Sequence, residues 1–154
     1  MTADIPNAFV QTPIEDKEVG DRITMKIRGQ LVDMLQNIAP DTYDGYEVYE
    51  GKPGRKQKVL YVVMCRALYG MLQSSLLYYK KFLGDIESIG FEVNPYDPCV
   101  ANRTVNGKQH TVTWHVDDLK SSHIDTKVND EFLEWLKFMY AADDIGEVKA
   151  VRGT

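Results

Sequence analysis

Two adjacent carboxylates, Asp117 and Asp118, close the β-prone run His110-Thr111-Val112-Thr113-Trp114-His115-Val116. Like charges at the edge of a sheet repel unless solvent or a cation relieves them. Hard ions such as Mg²⁺ favour carboxylate oxygens and keep several waters, which leaves room for the phosphate oxygens of a substrate. Two such ions about 3.5–4 Å apart activate a 3′-hydroxyl and stabilise a leaving pyrophosphate in an in-line displacement. By itself an Asp-Asp pair reads equally well as a solvated turn that ends a strand. Two other ligand types are present, and neither forms a site. On a regular strand His110 and His115 face opposite sides, so with His123 they do not make a metal triad. Cys65 and Cys99 lack C-x-x-C spacing and read as reduced, partly buried thiols.

The elements that must position the carboxylates follow from periodicity. Ile23 to Ile27 alternates as a strand, Gly29 interrupts it, and Leu31, Leu35 and Ile38 mark a short helix stopped by Pro40. From Pro40 to Lys58, Pro, Gly, Asp and Tyr alternate without a steady apolar period, which predicts a loose excursion at about 40–58. Val59 to Cys65 reads as a buried strand. Leu72, Leu76, Tyr79, Leu83, Ile86 and Ile89 recur at helical spacing, and Gly90 supplies a C-terminal cap. Phe91 to Val93 then leads through a turn at 94–98 into two strands joined by Asn106-Gly107, the strongest short hairpin signal. Beyond Asp125, which can cap, Val128, Phe132, Trp135, Leu136, Met139 and Tyr140 give an amphipathic helix, followed by a strand from Ile145 to Val151. Helices on one face of an antiparallel sheet make an α+β two-layer domain, and nothing long enough to be a linker divides the 154 residues. Trp114, Trp135, Tyr78 and Tyr79 read as core packing before base-stacking platforms, because they sit in strongly periodic segments.

Four motifs carry a resemblance: Asp4-Ile5-Pro6-Asn7-Ala8-Phe9, Ala67-Leu68-Tyr69-Gly70-Met71-Leu72-Gln73-Ser74, Asn94-Pro95-Tyr96-Asp97-Pro98-Cys99-Val100 and His115-Val116-Asp117-Asp118. In order and spacing the chain resembles the reverse transcriptase of copia-type long-terminal-repeat retrotransposons. Asp144 to Lys149 is similar to the segment after the second helix of that family's palm. The resemblance implies a polymerase palm, a ferredoxin-like antiparallel sheet with helices on one face, with incomplete fingers and no thumb. It implies that Asp4, Asp117 and Asp118 hold two Mg²⁺ or Mn²⁺ ions and that Phe9 rejects a 2′-hydroxyl on the incoming nucleotide. It also implies that Tyr69, Gly70 and Ser74 lie beside the nascent base pair and template, with His115 and Val116 near the primer end. Phe9 can also be an ordinary core aromatic, and Tyr69 to Ser74 a helix-entry turn. Two departures stand out. His115 replaces the usual tyrosine of Y-x-D-D with an imidazole. Ser74-Ser75-Leu76-Leu77 lacks the usual Pro and Arg.

The same resemblance implies an RNA or DNA template-primer and deoxynucleoside triphosphates as partners. The fingers, thumb and RNase H regions would belong to a longer polyprotein. With so few residues before Asp4, its strand needs ladder partners from elsewhere in the chain. A net charge of -5 opposes strong binding to phosphate backbones, since that affinity comes from Lys and Arg. Lys52, Arg55, Lys56 and Lys58, then Arg66, Lys80 and Lys81, are local exceptions that read equally as solvated faces. There is no run of eighteen apolar residues and no basic start with an apolar stretch, which predicts an intracellular chain without membrane contact; the resemblance implies the cytoplasm (in a virus-like particle) or the nucleus. Three functions follow: an RNA-directed DNA polymerase palm, a non-catalytic relic or domesticated module that binds nucleic acid or protein, and a metal-dependent phosphodiesterase that lacks an evident general base.

Overall fold

The computed structural model describes residues 1–14, 22–140 and, for the backbone, 149–151. The chain divides into two compact units, 1–14 with 66–154 and 15–65, where the sequence analysis anticipates one domain.

The larger unit holds a six-stranded antiparallel sheet. Its strands are β1 (Thr2–Asp4), β5 (Glu92–Asn94), β6 (Asp97–Val105), β7 (Lys108–His115), β8 (Asp118–Ser122) and β9 (Lys149–Val151), in the order β5-β6-β7-β8-β1-β9. Its helices are α3 (Ser74–Ser88) and α4 (Thr126–Met139). Alternation along the strands turns Ala3, Ala101, Val112, Trp114 and Leu119 to one face, where they pack with Tyr78, Phe82 and Ile86 of α3 and Phe132 and Leu136 of α4. The fold class is thus α+β, with both helices against one face of an antiparallel sheet. Burying such aliphatic and aromatic side chains stabilises the fold by about 1.5–3 kcal/mol each, before conformational entropy is set against it.

The smaller unit pairs β2 (Thr24–Arg28) and β3 (Val48–Glu50) on either side of β4 (Gln57–Val63). The helices α1 (Gln30–Ile38) and α2 (Pro40–Tyr43) complete it. The stretch at 40–58, expected to be loose, therefore contains a helical turn and a paired strand. Pro40 starts α2 as well as stopping α1, because a helix's first position needs no N–H. The hydrogen bonds of β3 go to β4, with Val48 opposite Val59 and Glu50 opposite Gln57, a pairing that local periodicity does not reveal.

Other expectations need smaller corrections. Helix α3 buries Ser74, Tyr78, Phe82 and Ile86: Ile86 belongs to the predicted stripe, while Tyr78 and Phe82 lie one position before the predicted Tyr79 and Leu83. Leu72 is 99% exposed and Leu76 54%. Ser74 explains the offset: its hydroxyl donates to the Leu68 carbonyl at 2.6 Å, which turns the first helical residue inward. At the other end Gly90, with φ +86°, lets its N–H reach the Glu87 carbonyl, as expected of a C-terminal cap. Asp125 caps α4 by accepting from the Lys127 N–H at 3.0 Å. Cys65 is exposed and Cys99 half-buried, and both are free thiols. Trp114 and Tyr78 are buried as core residues, while Trp135 is half-buried and stacks on Phe132. Of the strand expected over Ile145–Val151, only Lys149–Val151 lies within the described residues, and so does only Lys149 of the Asp144–Lys149 motif.

Candidate active site

Asp4 ends β1, and its backbone partner in β8 is Asp118. The short strand is held on both sides, since Thr2, Ala3 and Asp4 also pair with Val151, Ala150 and Lys149 of β9. Two ladders give Asp4 the firm seating that three residues could not form alone. One residue further on, the Ile5 N–H donates to the Asp117 carbonyl at 3.0 Å, which ties the second aspartate to the same strand end. Strand β7 turns into β8 through Val116-Asp117, with His115 opposite Asp118. Val116 has φ +55°, a left-handed conformation that a β-branched residue rarely adopts.

Three carboxylates from opposite parts of the chain therefore crowd one end of the sheet. The electrostatics register the crowding: partial desolvation raises the Asp4 pKa, and repulsion from Asp117 and then Asp118 raises it further. All three are oxygen donors of the kind a hard divalent ion takes, and an ion there would relieve the repulsion. Among the described residues no three His, Cys, Asp or Glu side chains stand close enough together to hold a metal ion as they are, so binding would have to draw the carboxylates inward.

Beside them, Phe9 and Tyr69 pack with ring centroids 4.6 Å apart, and Phe9 meets Tyr78 edge-on at 6.1 Å. The Tyr69 hydroxyl is drawn up in pKa by burial and then by the charges of Asp117 and Asp4, which locates this aromatic wall next to the acids. Gly70 follows in a left-handed conformation, φ +92°, with open space where a side chain would be. Ser74 lies apart from the acids in its contacts: it is 1% exposed and its hydroxyl is committed to Leu68. His115 is exposed at the strand end, whereas His110 is fully buried, so the two histidines do face opposite sides. A concave surface of about 420 Å³ opens along the outer face of the sheet, lined by Thr113, His115, Asp118 and Lys120 among others.

No family model, curated protein or solved structure matches the chain.

Two features near this end were not singled out from the sequence as functional. Tyr78 is 2% exposed, its hydroxyl has no hydrogen-bond partner among the described residues, and its pKa is driven up by burial and then by Asp117. The Trp114 indole N–H is likewise buried without a partner among the described residues. Both side chains sit at predicted core positions, and the periodicity that placed them there says nothing about where their polar ends point.

Behind the sheet, His110 anchors a chain of hydrogen bonds. Arg103 Nε donates to His110 Nδ1 at 3.1 Å, which leaves Nε2 as the protonated nitrogen facing Ser121 Oγ at 2.8 Å. Ser121 in turn donates to Asn129 Oδ1 at 2.8 Å, and Asn129 donates to the His123 carbonyl. Desolvation, then Arg103 and His123, pushes the His110 pKa down to about 4. This imidazole is a neutral structural link between β7, β8 and α4.

Proposed function

We propose that the chain is the palm of an RNA-directed DNA polymerase of the copia-type reverse transcriptase kind, with its catalytic centre at the strand end that carries Asp4, Asp117 and Asp118. One observation supports this above all: Asp4 stands in register with Asp118 while the adjacent residue, Ile5, is bonded to Asp117. Asp4, remote in sequence, is thereby brought to the sheet terminus that carries the adjacent pair Asp117 and Asp118, as nucleotidyl transfer requires.

On this reading Asp4, Asp117 and Asp118 would hold two Mg²⁺ or Mn²⁺ ions, which activate a primer 3′-hydroxyl and neutralise the charge of the departing pyrophosphate when bound. The carboxylates provide hard oxygen donors and lower their own repulsion by accepting the ions. Phe9, braced by Tyr69, forms the wall against which the sugar of a deoxynucleoside triphosphate rests. Gly70 lets backbone approach the nascent base pair without a side chain between them. His115, on the exposed end of β7, would donate to the primer terminus. The strained Val116 shapes the turn that carries Asp117 just before the return strand begins at Asp118, and strain of this kind concentrates where function over-determines the backbone.

Primer extension on an RNA template, with Mg²⁺ or Mn²⁺ and the four deoxynucleotides, tests the proposal. The wild-type chain should extend the primer and the Asp117→Asn variant should not. Equal extension by both would refute the site. A chain that binds template-primer yet extends it in neither form would favour the non-enzymatic module.

A further inference from the structure

The smaller unit carries a basic pocket that the acidic site does not involve. Lys26 and Arg28 lie two residues apart on β2 and therefore project from the same face. Their partners across the ladder are Tyr61 and Val59 of β4, which share that face. The loop between β3 and β4 brings Arg55 to the same place, and together with Glu50, Gly51 and Gln57 these residues enclose about 190 Å³ over a floor made by Val59, which is 1% exposed.

Gly51 is what allows the loop to fold this way. Its φ is +131°, and a Cβ there would lie 2.5 Å from the Arg55 carbonyl oxygen. Only a residue without a side chain fits, and the close approach fixes where Arg55 leaves the loop.

The charges are unevenly partnered. Lys26 is ion-paired with Glu50, which also accepts from the Tyr61 hydroxyl at 2.5 Å. Both contacts hold the Glu50 carboxylate below its usual pKa, Lys26 first, so the acid is committed to its partners. The guanidinium groups of Arg28 and Arg55, by contrast, make no hydrogen bond or ion pair among the described residues. A pocket of three cations and one neutralised anion, with ten guanidinium N–H donors unengaged, has the charge and donor geometry for a tetrahedral oxyanion. Lys52 and Lys56 on the same loop extend the positive field.

We propose that this pocket binds a phosphate group, gripped by Arg28 and Arg55. The phosphate belongs either to a single-stranded nucleic acid or to a nucleotide polyphosphate, and Tyr61, half-exposed beside Lys26, offers its ring to an attached base. The pocket owes nothing to Asp4, Asp117 or Asp118, so it stands or falls apart from the polymerase reading.

The test uses the full chain, the Arg28→Gln/Arg55→Gln double variant and, as a charge control, Lys127→Gln. Inorganic triphosphate is titrated by calorimetry, and a fluorescein-labelled single-stranded oligothymidylate by anisotropy at increasing salt. Both arginines are exposed, so circular dichroism should show the double variant folded. The expected result is binding that the double variant weakens at least tenfold and Lys127→Gln, which removes an exposed cation of the larger unit, leaves unchanged. For the oligonucleotide, loss of two phosphate contacts should flatten the salt dependence by about 1.4 in log–log slope. An effect confined to the oligonucleotide assigns the pocket to a strand, and one confined to triphosphate assigns it to a nucleotide. Failure of both probes to bind, or binding that the double variant keeps, overturns the proposal. A Gly51→Val variant gives a second check: it should displace the loop and weaken binding with both arginines still in the chain.

Discussion

Strand β7 ends in two hairpin turns of equal length and unlike chemistry. At one end Asn106 and Gly107 adopt φ +52° and +72°, and both residue types enter the left-handed region at little cost. At the other end Val116 takes φ +55°, where a branched Cβ crowds the backbone. The first turn is what local sequence preference would choose. The second contradicts that preference and adjoins two of the three clustered carboxylates. A backbone that resists its local preference must be held by its surroundings, here the β7–β8 ladder and the Ile5–Asp117 hydrogen bond. One turn serves to reverse the chain, while the other reverses it and also sets the position of an acid.

The difference can be broken open by mutation. The largest effect should come from chemistry at the strained turn: Asp117→Asn should lower primer extension by at least a hundredfold with the melting temperature little changed, whereas Asn106→Asp at the relaxed turn should leave extension as it was. Next in size is the strand between the turns. His110 is held near pKa 4 when folded against 6.5 when free, so the native state takes up fewer protons than the unfolded chain. Its contribution is complete above pH 6.5 and lost as pH falls toward 4, on the order of 3 kcal/mol in all. Urea unfolding measured across that range should show the decline, and His110→Phe should flatten it.

Smaller effects address the turns themselves. Gly107→Val has open space around the new side chain, so its cost would be conformational alone, about 1–2 kcal/mol by urea denaturation. Val116→Asn runs the comparison in reverse. It should stabilise the chain by about 1 kcal/mol and yet reduce extension, because Asn relaxes into the turn that Val116 holds under strain. A variant that gained stability and lost no activity would show the strain to be incidental.

The contrast also marks what sequence could tell. The Asn106-Gly107 hairpin, the Asp125 cap and the Gly90 stop were legible because each is a local arrangement of backbone and one side chain. The inward rotation of Ser74 was not, since it depends on a carbonyl six residues earlier. Nor was β3, whose partner lies beyond a loop shaped by a clash at Gly51 that no periodicity encodes. Asp117 and Asp118 stood out as an adjacent pair, but Asp4 could be joined to them only through resemblance, because its ladder to β8 crosses most of the chain. The cations of the smaller unit are half legible: Arg55 belongs to a basic stretch of sequence, while the alternation that puts Lys26 and Arg28 on one face of β2 shows its meaning only once β4 is alongside.

The seating of β1 between β8 and β9 has a consequence for how the acidic site comes into being. During synthesis Asp4 emerges well before β8 and cannot join it until residues 118–122 have emerged. The β6–β7–β8 meander can close by neighbouring contacts, which form quickly, whereas insertion of β1 must close nearly the whole chain, which is slow. Asp4 is thus kept from Asp117 and Asp118 until β8 is in place, and its repulsion with that pair enters only when β1 docks. On the proposed reading, divalent ions present at that moment would speed the final closure, making the completion of the fold and the loading of the site a single event.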